Sequence, residues 1–235
     1  MLNPNGPYPG RQLFVGLTAD ESPCLAYLVT GRSPESRQRK AVKIGNTVRI
    51  GPLENIPYDP LRHYTAVKYE DSSGLAVVSN GIHTEAIFET YRFLINVGTS
   101  ANKDYLGNLM QGAGAEPDSL HTPRIAGVVI AKKGKPAFML SIATHDVTAA
   151  AYPVAPDARH IIGISTYQGN MDKPEPTSPT AQLPWLEFAG STPRELAKGL
   201  YDISAADYKG DDIRVCAVAG VYSADKWKIA IINKH

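Results

Sequence analysis

Residues 75–87 read LAVVSNGIHTEAI and carry the chain from a sheet into a helix. The first half is a short apolar run with the β-branched character of a buried strand, and from Thr84 the period changes. Ile87, Tyr91, Leu94 and Ile95 fall on one stripe and Glu85, Glu89, Arg92 and Asn96 on another. That spacing predicts a helix with one buried face, stopped at Gly98. Between the halves stand Ser79, Asn80, Gly81, His83 and Thr84, where a connector of any composition would serve. Asn80-Gly81 suits a tight turn and Thr84 a helix cap. Free amides and the positive dipole end at Thr84 to Ile87 also suit an anion, with Asn80 and His83 as added donors.

Upstream, RQLFVGLT, CLAYLVT, AVKIGNTVRI and HYTAVKYE are short, β-branched or aromatic, and punctuated by Gly, Pro, Asp or Asn, which predicts an antiparallel sheet. Downstream, ANKDYLGNLMQ predicts a second helix ahead of the loop GAGAEPDSLHTPR. Strands resume in RIAGVVIAKKGKPAFMLSIAT, with KKGKP as the turn between two antiparallel strands, and in HIIGISTY. The proline-rich stretch 169–187 is expected to be an irregular excursion. In STPRELAKGLYDI, Thr192, Pro193 and Glu195 spell a capping box, and DIRVCAVAGVY and KWKIAIIN close the chain as strands. Strands, helices, strands, a helix and strands again imply an α+β layered architecture with sheets sandwiched by helices.

With 235 residues and no compositional break, one domain is expected. Lysine plus arginine total 24 against 23 acidic residues, a net charge of +1 that provides no general field for nucleic acid or an anionic membrane. Any anionic ligand meets a local cluster instead. Cys24 and Cys216 fall in apparent strands, where reduced, buried thiols in a reducing compartment are the ordinary reading. The start lacks a secretory pattern and no apolar run approaches the roughly 20 residues of a membrane span, so a cytoplasmic location is expected.

Several chemistries are excluded by spacing. The six histidines, at 63, 83, 121, 145, 160 and 235, form no H-x-x-x-H pair, and neither C-x-x-C nor a calcium-loop acidic cluster occurs, so no metal is expected. In QGAGAEP, Pro117 stands where a dinucleotide fingerprint needs its third glycine, and no G-K-[ST] exists. Val77 replaces the first glycine that an elbow around Ser79 requires. Residues 2–5, LNPN, offer no Ser, Thr or Cys as an N-terminal nucleophile.

What remains is a set of polar residues at strand ends and in loops, where a rigid scaffold holds side chains around a ligand. They are Arg32, Ser33 and Arg37 in TGRSPESR, His63 and Tyr64 in LRHYT, the SNGIHT turn, Glu116, Thr122 and Arg124 in GAEPDSLHTPR, and Thr166 and Tyr167 in ISTYQGN. Each has a plain alternative: Arg32 and Arg37 as solvated surface, Glu116 as a loop residue held extended before Pro117.

Four stretches, GRQLFVGLTADESPCLAYLVTGRSPESRQR, AVVSNGIHTEAI, LHTPRIAGVV and ISTYQ, in that order, resemble the archaeal-type inosine monophosphate (IMP) cyclohydrolase family over roughly the first 170 residues. The resemblance implies a four-layer α-β-β-α, Ntn-hydrolase-like fold without an N-terminal nucleophile. It implies cofactor-free closure of the purine ring: the carboxamide nitrogen of a 5-formamidoimidazole-4-carboxamide ribonucleotide attacks the formyl carbon and water leaves. With nucleophile and electrophile in one molecule, such a site works mainly by positioning, with a donor for the formyl oxygen and an acceptor for the amide proton. Motif matching implies Glu116 as proton acceptor or carboxamide orienter, Tyr64 as donor to the formyl oxygen and Arg37 as electrostatic support. It gives Arg32, Ser33, Asn80, His83, Thr122, Arg124, Thr166 and Tyr167 to the ribose phosphate and base. The implied partner is a small purine-precursor ribonucleotide, with a homo-oligomer an open option. The loop GAGAEPDS departs from the family pattern, so the placing of Glu116 rests on counting back from Thr122. A nucleotide-binding module without turnover, and an amide hydrolase on the same scaffold, are the alternative readings.

Overall fold

The structure, a computed structural model, describes residues 8–54, 56–131, 135–146 and 149–235. Strands β1 (Arg11–Leu17) and β2 (Pro23–Thr30), the single-turn helix α1 (Pro34–Arg37), and strands β3 (Arg39–Ile44), β4 (Thr47–Pro52), β5 (Tyr64–Glu70) and β6 (Leu75–Ser79) come first. Helices α2 (Thr84–Asn96) and α3 (Lys103–Ala113) follow, then β7 (Arg124–Ile130), β8 (Ala137–Ala143), β9 (Ala150–Val154) and β10 (His160–Ser165). Short strands β11 (Tyr167–Gly169), β12 (Pro174–Pro176) and β13 (Trp185–Glu187) lead to helix α4 (Pro193–Ile203). The hairpin of β14 (Asp207–Tyr208) and β15 (Asp211–Asp212) precedes β16 (Arg214–Ser223) and β17 (Lys226–Asn233).

Two large antiparallel sheets result, beside the two-stranded pairs β11-β12 and β14-β15. One runs β13-β10-β1-β2-β16-β17 and the other β3 to β9 in chain order. The period of two explains how both faces are filled. In β2, Leu25, Tyr27 and Val29 enter the core between the sheets, while Cys24, Ala26 and Leu28 meet Leu196, Ala197 and Leu200 of α4. In β6, Ala76 and Val78 face the same central core and Leu75 and Val77 pack under Ile87, Phe88 and Tyr91 of α2. Strands covered on both sides read as unbroken apolar runs, which is why LAVVS and CLAYLV lack alternation. Both thiols are free and buried, and no helix among the described residues is long and apolar enough to cross a membrane.

Local details follow the sequence with three adjustments. AVKIGNTVRI is two strands, because Gly45 at φ 57° lets the chain turn tightly between Ile44 and Thr47. The second helix begins at Lys103, two residues after the expected start, because the Asn102 side chain accepts from Asp104 N and fixes the cap there. The 169–187 excursion holds the last residue of β11 and the short strands β12 and β13, of which β13 adds to the edge of β10. The KKGKP turn falls mostly on 132–134, outside the described residues. Thr192, Pro193 and Glu195 form the capping box at the start of α4.

Candidate active site

The start of β1, the end of β2 and the starts of β3 and β11 meet the segments 32–36, 59–62 and 116–122 around a cavity of about 550 Å³. Arg11 opens β1, and its backbone N–H donates to Thr166 Oγ1 at 3.1 Å. Its guanidinium reaches across to Glu116, Nη1 to Oε1 and Nη2 to Oε2, both at 2.9 Å. A third contact runs from Nη1 to the Asn80 carbonyl at 3.4 Å. The loop is folded to present Glu116: its own N–H donates to Thr122 O at 2.8 Å. Paired bonds of this kind are charge-assisted and fix geometry as well as energy. Burial pushes the Glu116 carboxyl up from the usual carboxylate range against the pull of Arg11. The geometry, with both oxygens accepting, is that of the ionised form.

Beside this pair, Thr122 Oγ1 donates to Asp118 Oδ2 at 2.5 Å and touches the Tyr167 hydroxyl. The Tyr167 ring stacks on Tyr8 at 5.8 Å, and the Arg32 guanidinium lies 5.4 Å from the Tyr8 ring centre. Arg32 and Arg39 also line the cavity, with Ser33 and Ser36. Arg32 Nη1 donates to Met171 O and Arg39 Nε to Ser36 O. Among the described residues neither arginine has a carboxylate partner, whereas Arg62 is paired with Asp59 at 3.2 Å. The cavity thus joins arginines that lack carboxylate partners to a buried carboxylate and phenol.

Of the residues singled out from the sequence, Arg32, Ser33, Glu116, Thr122 and Tyr167 line this cavity, and Thr166 supports its floor through Arg11 N. The expectation that Arg37, Tyr64 and Glu116 surround one cavity is not met. Arg37 is buried outside the lining, donating to Arg32 O at 2.6 Å and to Asp211 Oδ2 at 2.6 Å. Tyr64 sits in the core between the sheets, its hydroxyl 2.7 Å from that of Tyr27. His63 accepts from Asp59 N through Nδ1 at 3.0 Å, and burial pushes its pKa down.

The SNGIHT turn is turned inward. The Asn80 amide donates to Pro123 O at 2.9 Å and accepts from Ile125 N at 2.8 Å, locking the turn to the start of β7. Arg124 packs behind it, so close that a Cβ on Gly81 would stand 2.7 Å from Arg124 Nη1. His83 bonds Ile125 O at 3.2 Å, and burial next to Arg124 lowers its pKa to about 3. Asn80, His83 and Arg124 therefore stand behind the cavity wall. The amides of Thr84 to Ile87, expected as an anion site, lie outside this cavity. Thr84 N and Ile87 N bond Gly81 O and His83 O, the Thr84 hydroxyl is 2.6 Å from Thr65 O, and none of the four residues lines this cavity.

Arg11, Asp118 and Arg39 escaped the sequence reading. The signal for Arg11 is a charged and an amide residue heading a strand whose remaining residues are apolar or glycine, and for Asp118 its place two residues after Glu116.

A mixed α/β scaffold whose cavity is lined by guanidinium groups without carboxylate partners and by a buried carboxylate suits a small anionic molecule. The chain belongs to the family of IMP cyclohydrolase-like proteins, whose family model matches residues 8–226. The match runs well past residue 170, through helix α4 and strand β16. The chain is 30% identical to the IMP cyclohydrolase of Methanocella arvoryzae over 96% of its own length and 98% of that protein. It is 36% identical to the IMP cyclohydrolase of Methanocaldococcus jannaschii over 52% of this chain, an alignment spanning 56% of that relative. The IMP cyclohydrolase of Methanothrix thermoacetophila is 36% identical over 59% of this chain and 64% of that protein.

Proposed function

We propose that the protein is an IMP cyclohydrolase that closes the purine ring of 5-formamidoimidazole-4-carboxamide ribonucleotide with loss of water. One observation carries this reading: the Arg11–Glu116 pair stands in a cavity whose lining also offers Arg32 and Arg39 to a phosphate. Family membership fits the same reaction. Glu116, anchored from behind, orients the carboxamide and accepts its proton, and the upward push of burial on its pKa suits that task. Arg11 uses three of its five N–H groups on Glu116 and Asn80, which leaves donors for the charge that collects on the formyl oxygen. In this reading Arg11 takes the part expected of Arg37. Tyr64 braces the region behind Arg11 through Tyr27, and Arg37 fixes the backbone that presents Arg32.

The layering, with α4 on one sheet, α2 and α3 on the other and one core between, supports reading the chain as a single-domain, Ntn-hydrolase-like α-β-β-α sandwich. A cytoplasmic location accords with purine synthesis. The test is direct: purified protein given the formylated ribonucleotide produces IMP. Tight nucleotide binding with no conversion would replace this reading by a binding module.

A further inference from the structure

We propose that Asp118 is a positioning residue. It orients the Thr122–Tyr167 hydroxyl pair so that Tyr167 accepts a hydrogen bond from the ring-closing nitrogen, and so selects ligands that carry an N–H there. This inference rests on the ring-closure reading.

The protons of this cluster can be counted. Asp118 Oδ1 accepts from Thr122 N at 2.7 Å and Oδ2 from Thr122 Oγ1 at 2.5 Å. A carboxylate only accepts, so the single hydroxyl proton of Thr122 is directed to Asp118. Thr122 Oγ1 therefore receives the proton of the Tyr167 hydroxyl that touches it. With that proton engaged, Tyr167 offers a third partner a lone pair. Burial pushes the Tyr167 phenol up to about 12, so it keeps its proton at neutral pH. All three residues line the cavity, next to Glu116. The loop is shaped for this contact: His121 at φ 47° donates its N–H to Asp118 O at 3.0 Å, which curls the chain and brings Thr122 back onto the carboxylate.

The nitrogen that closes the ring carries hydrogen throughout. It is an NH2 in the carboxamide and keeps one N–H in IMP. An adenine ring presents a bare nitrogen at the same position. A fixed acceptor favours the first and disfavours the second, because an acceptor facing an acceptor is left unsatisfied.

The test is the affinity of the full-length protein for IMP and for adenosine monophosphate, measured by calorimetry. The wild type is expected to prefer IMP. Asp118→Asn has nearly the same shape but donates from its amide to Thr122 Oγ1, which reverses the chain and turns the Tyr167 proton toward the cavity. The IMP preference should then fall by about tenfold or more. Thr122→Val should lower it too, and Thr122→Ser, which keeps the hydroxyl, should retain it. A preference unchanged in folded Asp118→Asn and Thr122→Val, or an equal loss for both nucleotides, overturns the inference. Turnover of the formylated substrate by wild type separates the two claims. Turnover with an unchanged preference sinks this inference alone, and no turnover with a collapsed preference sinks the ring-closure reading alone.

Discussion

Arg11 and Glu116 lie 105 positions apart in the chain and meet in two parallel hydrogen bonds of 2.9 Å, both side chains withdrawn from water. Removing one partner leaves the other as an unpaired buried charge. Arg11→Met is expected to destabilise the fold by about 3 to 5 kcal/mol, whereas Arg11→Met with Glu116→Leu recovers much of that loss. Urea denaturation of the two variants checks it. Both should be inactive, which separates the pair's role in the site from its role in stability.

The Tyr27–Tyr64 contact predicts a different pattern. Tyr64→Phe strands the fully buried Tyr27 hydroxyl and is expected to cost about 1 to 3 kcal/mol. Adding Tyr27→Phe should cost less than the sum of the two single changes. Turnover by Tyr64→Phe should exceed that of Glu116→Gln at saturating substrate. Equal losses would return Tyr64 to the reacting atoms.

His83 predicts how stability varies with pH. Its folded pKa, about 3, lies below the value of roughly 6.5 in an unfolded chain. Between those values the unfolded state binds the extra proton, so this contribution is complete above about 6.5 and is lost as pH falls toward 3. His83→Gln should remove a share of the acid slope on the order of a few kcal/mol across that window. Thermal or urea midpoints for both proteins from pH 7 to pH 4 measure it, and parallel curves would assign the slope to other groups.

The exposed end of α4 offers a local check. Thr192 Oγ1 accepts from Glu195 N at 3.2 Å, and Glu195 Oε2 accepts from Thr192 N at 2.9 Å. Thr192→Ala should cost about 1 kcal/mol in denaturant titrations and leave turnover unchanged.

These cases show what a sequence makes legible. The capping box and the strand-to-helix change at Thr84 are local, so residue spacing alone encodes them. The sheets are legible because apolar runs broken by glycine and turn residues have few alternatives. Glu116, Thr122, Tyr167, Arg32 and Ser33 could be picked out as polar groups in loops, and the structure gathers them around one cavity. Arg11 could not, since its partner is fixed by long-range sheet pairing. The helix start at Thr84 has the amides an anion needs, yet the direction it faces is set by Asn80 gripping β7. The position of Arg37 was hidden for a related reason: a guanidinium in TGRSPESR reads as a ligand contact until the hairpin bearing Asp211 is known to lie against it.

Whether Glu116 clamped by Arg11 promotes ring closure is decided by single-turnover conversion of the formylated ribonucleotide in wild type and Glu116→Gln. Wild type should form IMP, and the variant should form it more slowly by a factor of about 10² or more, with IMP affinity held within a few-fold. Equal rates in the two proteins would contradict that role.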